Sequence, residues 1–310
     1  MKTRCSILLL VCLNFGAPGD ACAQVFGASA RTEFFGGFGI RVFYGGIRKT
    51  RLLLDGDRIR NTDDSEVFIH VVPVTVVYGA APKFSVISVI PTLIRTFKRP
   101  LNQQQVSDTN SGIGDVTLFG KVRFYKKDAF LKSRQMAFQF GLKLPTGNDN
   151  LKDGQGNRFP FPLQLGSGSV DYRIILSFTE VRNRLTFTGD LGYTLKTEAN
   201  NFEFGDVFNY DFAAKVRIHP ARYTDQFPAR DLYGVLEVNG IMGQKFKQNG
   251  TQIKDSGGHQ IFLAPGLQFL PVAHLLLEMG VQIPVLEDLN GTQLGTDFNF
   301  RMGLRWFILP

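Results

Sequence analysis

Strict alternation of apolar and polar residues runs through this chain from about residue 34 to its end. It is cleanest over 185–196. Leu185, Phe187, Leu191, Tyr193 and Leu195 hold one parity, and Thr186, Thr188, Asp190, Thr194 and Lys196 hold the other. Residues 170–179, 115–124, 136–144 and 208–218 repeat the pattern. Successive side chains of a strand point to opposite faces, so each segment has an apolar and a polar face. The mature chain shows no convincing 3.6-residue period.

A soluble sandwich would alternate too. Two features favour a membrane barrel. The segments mostly run about 9–13 residues, longer than typical soluble strands and matched to membrane-spanning ones. The connections alternate between short and long, as periplasmic turns and outer loops do. Twelve segments can be placed, near 34–47, 66–78, 83–97, 113–125, 135–145, 168–180, 185–197, 206–218, 232–245, 259–270, 274–285 and 296–308. The expected fold is all-β: a transmembrane antiparallel up-and-down β-barrel of about 12 strands. Closure would pair every backbone amide, which lipid demands. Segments two and three are the least regular. They are apolar on both faces and carry Pro73 and Pro91. Proline cannot donate to a ladder, so bulges are expected there, with inner faces packed on something buried.

Composition agrees. With 44% hydrophobic residues, 29 Phe and 33 Gly, the chain is too apolar to be disordered. No mature stretch offers the ~20 consecutive apolar residues of a membrane helix. Residues 1–23 read as a cleaved signal peptide: Lys2 and Arg4, an apolar run from Ser6 to Phe15, then Ala21-Cys22-Ala23. The expected mature domain is 24–310. All three cysteines, Cys5, Cys12 and Cys22, would leave with the signal. That excludes a disulfide framework, a thiolate metal site and a cysteine nucleophile. Of the net charge of +8, the signal carries one positive charge, from Lys2, Arg4 and Asp20. No Lys/Arg run is longer than two residues, and the charges recur at strand-like intervals, which fits a lumen lining better than a nucleic-acid patch.

Reading each strand's polar parity gives candidate lumen charges. The bases are Lys121, Arg123, Lys143, Arg173, Lys196, Lys215, Arg217, Arg301 and Arg305, and the acids are Asp115, Asp171, Asp190, Asp211, Glu237 and Glu278. On the lipid face an Arg or Lys costs about 2–4 kcal/mol at midplane. These groups should therefore face inward and pair, either as a selectivity lining or as a plug that fills the barrel. Enzymatic chemistry has little support. The four histidines, His70, His219, His259 and His274, show no metal-ligand spacing, and neither a phosphate loop nor a dinucleotide fingerprint is present. No cofactor is implied.

The final strand, with Arg301, Gly303, Trp306 and Ile308 in order, resembles the insertion signal of bacterial outer-membrane proteins, although the chain runs on through Leu309 to Pro310. Three further stretches carry a narrower resemblance: GIGDVTLFGKVRFY at 112–125, FQFGLKLPTGN at 138–148 and LQLGSGSVDYRIILSF at 163–178. Together they are similar to the outer-membrane proteins grouped with the meta-pathway of phenol degradation. That resemblance implies a transporter-like barrel in the outer membrane of a Gram-negative cell, with hydrophobic or aromatic compounds among its candidate solutes. Its partners would be outer-membrane lipid, periplasmic chaperones, the barrel-insertion machinery and a small-molecule solute. The alternatives are a structural or surface-interaction barrel with a filled lumen, and an outer-membrane hydrolase using His70 or His259. The connection 146–167, with Phe159-Pro160-Phe161-Pro162, is either a lid or, slightly favoured, a plain surface loop.

Overall fold

The computed structural model describes residues 29–101, 104–222 and 230–308. The expected signal peptide, Leu309 and Pro310 lie outside the described residues. Twelve long antiparallel strands form the wall: β1 (Phe38–Leu54), β2 (Glu66–Ala81), β3 (Phe84–Leu101), β4 (Thr117–Ala129), β5 (Lys132–Lys143), β6 (Asp171–Arg182), β7 (Leu185–Leu195), β8 (Val207–His219), β9 (Asp231–Gly243), β10 (Gly258–Val272), β11 (Leu275–Leu289) and β12 (Thr292–Ile308). Each pairs with its sequence neighbour, and β12 pairs with β1 from Phe38↔Ile308 to Leu54↔Thr292, which closes the cylinder. Each of the twelve segments expected from alternation is one of these strands.

The alternation is realised as two faces. Leu191, Phe140, Leu236 and Met302 stand exposed on the outside, while Asp190, Gln139, Glu237 and Arg301 are buried inside. Parity sorts them, because a one-residue slip would put every ionic group into lipid. The inner wall satisfies its polar groups laterally. Asn239 Nδ2 donates to Asp211 Oδ1 (2.6 Å), Gln282 Nε2 to Asn239 Oδ1 (2.7 Å) and Asn299 Nδ2 to Gln282 Oε1 (3.0 Å). This girdle crosses from β8 to β12.

Three connections expected as solvated loops are β-structure instead. β1 runs on to Leu54 and turns at Asp55-Gly56, where both φ angles are positive, 48° and 87°. That is the backbone an Asp-Gly hairpin turn requires. β3 continues to Leu101 and is met by a returning strand, Gln104–Ile113. β11 and β12 join through Asn290-Gly291. Polar composition suggested loops, but paired edges carry polar residues freely where both faces meet water.

Pro73 and Pro91 stand directly opposite each other in the β2–β3 ladder. No bulge occurs at that position, contrary to expectation. The strain is placed on the other edges. β1–β2 pairing is interrupted between Val42↔Val74 and Gly45↔Val71, and β3 changes partner between Val89↔Thr117 and Thr92↔Ile113. Each proline therefore lacks its N–H where the ladder is already open.

A chamber between two inserted segments

Two segments enter the barrel from opposite ends. At the end with the short turns, residues 29–37 run inside the wall. Ala30 N donates to Thr179 Oγ1 (3.0 Å) and Glu33 N to Ser85 Oγ (3.1 Å), while Lys121 Nζ holds the Ser29 carbonyl. Gly36 N and Gly79 N bind the carbonyls of Gly79 (2.8 Å) and Gly37 (3.0 Å). A Cβ at Gly79 would collide with the Phe34 carbonyl, so glycine is needed for this close approach. Burial pushes the Glu33 carboxyl above its ordinary range, and the nearby charges of Arg305 and Lys121 act against that rise.

At the outer end, the connection 146–167 folds inward. Phe159 and Leu163 pack with Ile47, Val67, Ile69, Phe97 and Leu294, and Leu165 packs with Val71 and Leu93. This is the buried partner that the doubly apolar β2 and β3 needed. Arg95 Nη1 donates to the carbonyls of Pro162 and Gln164, both at 2.7 Å, and Asn110 Nδ2 to that of Leu163 (3.0 Å). The Gln164 side chain ties the loop to itself through Leu151 and Phe159. The reading of this connection as a plain surface loop is therefore wrong. Its apolar residues had a pre-formed apolar inner wall to bury against. Above it, Phe161 stacks on Phe202 (centroids 4.4 Å apart), which packs edge-on against Phe204 and Phe246.

The loop is pinned where the three motifs converge. Lys143 Nζ lies 3.0 Å from Asp115 Oδ2 and 2.9 Å from Asp171 Oδ2, and Lys196 Nζ lies 3.1 Å from Asp171 Oδ2. Ser167 N and Oγ both donate to Asp115 Oδ2 at 2.9 Å, and Gly147 N donates to Asp115 Oδ1 (3.0 Å). Asp115 and Asp171 are each 1% exposed. Full hydrogen bonding and ion pairing offset the cost of burying such charges.

Inside the barrel, lined by Ser29 and Arg31–Phe35 of the N-terminal segment and by the inner wall, lies a chamber of about 1030 Å³. Lys121, Arg123, Lys143, Arg173, Lys196, Lys215, Arg301 and Arg305 line it, but of the expected acids only Asp171 does. The other acids are held in the wall or above it. Glu278 pairs with Arg41 (2.7 Å), Asp211 accepts from Asn239, Asp115 sits in the loop latch, and Asp190 and Glu237 are buried. Arg217 lies apart, 3% exposed, with its Nε donating to the Pro220 carbonyl (3.1 Å). The lining also includes Arg31, Glu33, Arg41 and Lys126, which were not among the expected lumen charges. Arg41 alternates with Ile40 and Val42, so its parity was legible; Arg31 and Glu33 precede any strand. Apolar walls complete the chamber: Phe43, Ile87, Val89, Phe119, Ile175 and Phe307.

Among the described residues, neither His70 nor His259 has a hydrogen bond to a serine. Their ring nitrogens bond the hydroxyls of Tyr44 (2.6 Å) and Tyr210 (2.8 Å). The inward neighbours Ile69 and Gln260 are buried, which places both histidines on the outer face. Arg301, Gly303, Trp306 and Ile308 fall on β12, with Trp306 and Ile308 exposed and Arg301 buried.

A family model described as "Putative MetA-pathway of phenol degradation" matches residues 54–302. The fold is similar to the COG4313 outer membrane channel from Pseudomonas putida F1, with a TM-score of 0.67 and 13% identity, covering 92% of this chain and 100% of that one. It is also similar to the beta domain of the Bordetella autotransporter BrkA, with a TM-score of 0.50 and 9% identity, covering 87% of this chain and 99% of that one. No curated protein matches the sequence.

Proposed function

The chain belongs to the family described as "Putative MetA-pathway of phenol degradation", and on that footing we propose that it is a passive outer-membrane channel for small solutes, hydrophobic or aromatic ones among them. One observation carries the reading. The barrel interior is not filled by its own wall but keeps a chamber of about 1030 Å³ beside the inserted N-terminal segment. That is the size of a small-ligand site. A merely structural barrel would gain stability by packing the space. Residues 29–37 enter one end of the barrel and the connection 146–167 enters the other. The similar channel from Pseudomonas putida F1 supports the architecture.

The test is entry of N-phenyl-1-naphthylamine, a small apolar fluorophore, into intact cells. Producing the protein should accelerate uptake while release of a periplasmic marker enzyme stays flat. Equal uptake with and without the protein would contradict the proposal.

A further inference from the structure

The chamber is strongly biased in sign. Its lining includes eleven Lys or Arg side chains and two acidic ones, Glu33 and Asp171, among the described residues. Most of the wall's acids are turned into hydrogen bonds or ion pairs away from the space. Arg41, Lys126, Lys143 and Lys196 are ion-paired, but other cations facing the space are served differently. Lys215 Nζ reaches only the Gln268 amide oxygen (3.4 Å), Arg173 Nη2 only that of Asn209 (3.4 Å), and Lys121 the Ser29 carbonyl. Among the described residues, Lys121, Arg173, Lys215 and Arg305 form no ion pair within 4.0 Å. Arg305 has Phe307 as its near neighbour, with its guanidinium carbon 5.9 Å from the ring centroid. Lys121 lies within electrostatic reach of Asp190, Arg305 and Glu33, and Lys215 within reach of Glu278, Glu237 and Arg305. The carboxylates near these groups are fewer than the cations that line the space, and an anion in the chamber offsets that excess of positive charge. One carboxyl of the chain already stands there: Glu33, on the inserted N-terminal segment, feels Arg305 and Lys121 without pairing with either.

We propose that the chamber binds a small organic anion, a carboxylate on an aromatic or short aliphatic body. Lys121, Lys215 and Arg305 hold the carboxylate, and Phe119 and Phe307 contact the body. This names the solute class within the channel reading and rests on it. Guanidinium and ammonium groups supply charge-assisted hydrogen bonds, and the apolar wall supplies area for the ring or chain. A neutral analogue loses the first term, and a cationic one meets repulsion.

The experiment is equilibrium dialysis of radiolabelled benzoate against the purified full chain in lipid nanodiscs, with empty nanodiscs subtracted. It requires no open channel. The expected result is saturable binding that octanoate displaces and benzylamine does not. Lys121→Gln combined with Arg305→Gln weakens it about tenfold or more, the loss of one to two charged hydrogen bonds. Glu33→Gln, outside the barrel wall, leaves the fold intact and tightens it about threefold by removing a competing carboxyl. Heat-modifiable migration reports that each variant is folded. Absence of saturable binding, displacement by benzylamine as effective as by octanoate, or unchanged affinity in the folded double variant would overturn the proposal. Benzoate binding without accelerated fluorophore uptake would sink the channel reading alone; uptake without benzoate binding would sink only the anion.

Discussion

Lys143 Nζ lies 3.0 Å from Asp115 Oδ2, with the two side chains only 6% and 0% exposed. The pair joins the end of β5 to the approach to β4 and collects Ser167 from the far end of the inserted loop. Removing one partner leaves the other charge buried. Lys143→Met is expected to cost about 3–5 kcal/mol, the usual penalty for breaking a buried ion pair. Urea unfolding in vesicles measures it; a loss below 1 kcal/mol would show that the latch is not structural.

Arg95 anchors the inner side of the same loop through two carbonyls. Arg95→Leu removes two charge-assisted hydrogen bonds, about 1.5–3 kcal/mol each. The barrel wall should survive and the loop should loosen. Protease cleavage within 150–160 should become faster in the variant, with the folded barrel core retained. Cleavage at the wild-type rate would place the loop's stability elsewhere.

Gly79 gives the N-terminal segment its seat. Gly79→Val puts a branched side chain where the Phe34 carbonyl passes, so residues 29–37 should be displaced without disturbing the β2–β3 ladder. A spin label at residue 34 should change from immobile to mobile. An unchanged spectrum would mean that the segment is held by its other contacts.

Leu191 points outward in the middle of β7 and is 52% exposed, beside inward Asp190. Leu191→Arg should destabilise folding into phosphatidylcholine vesicles by about 2–4 kcal/mol if that face meets lipid. A neutral effect would place water there.

Most of this architecture was legible because parity is a local signal. Leu191 and Asp190 announce lipid and lumen within two residues, and the strands other than β2 and β3 follow from such pairs. Hairpin extensions were harder. Asp55-Gly56 and Asn290-Gly291 are hairpin dipeptides, but polar flanks disguised the strands beside them. The chamber was half legible. Parity placed Lys121, Lys215 and Arg305 inside, yet could not show that Asp211 or Glu278 would be spent on wall contacts, because partner choice depends on cross-strand register. The inward fold of 146–167 was hidden too. Its Phe159 and Leu163 bury against Val67, Ile69 and Phe97 from distant strands, and no local pattern reports such a meeting. The clue was indirect: β2 and β3 have apolar inner faces that nothing on the wall itself could cover.

The account rests on a barrel whose lumen holds a chamber and is narrowed by two inserted segments, and single-channel recording in planar bilayers tests it most directly. Wild-type protein should give small, discrete openings, and Gly79→Val combined with Arg95→Leu should give openings several-fold larger from the same folded barrel. A double variant that is folded and inserted yet silent would contradict the account, because the lumen would then be filled by the wall and not by the two segments.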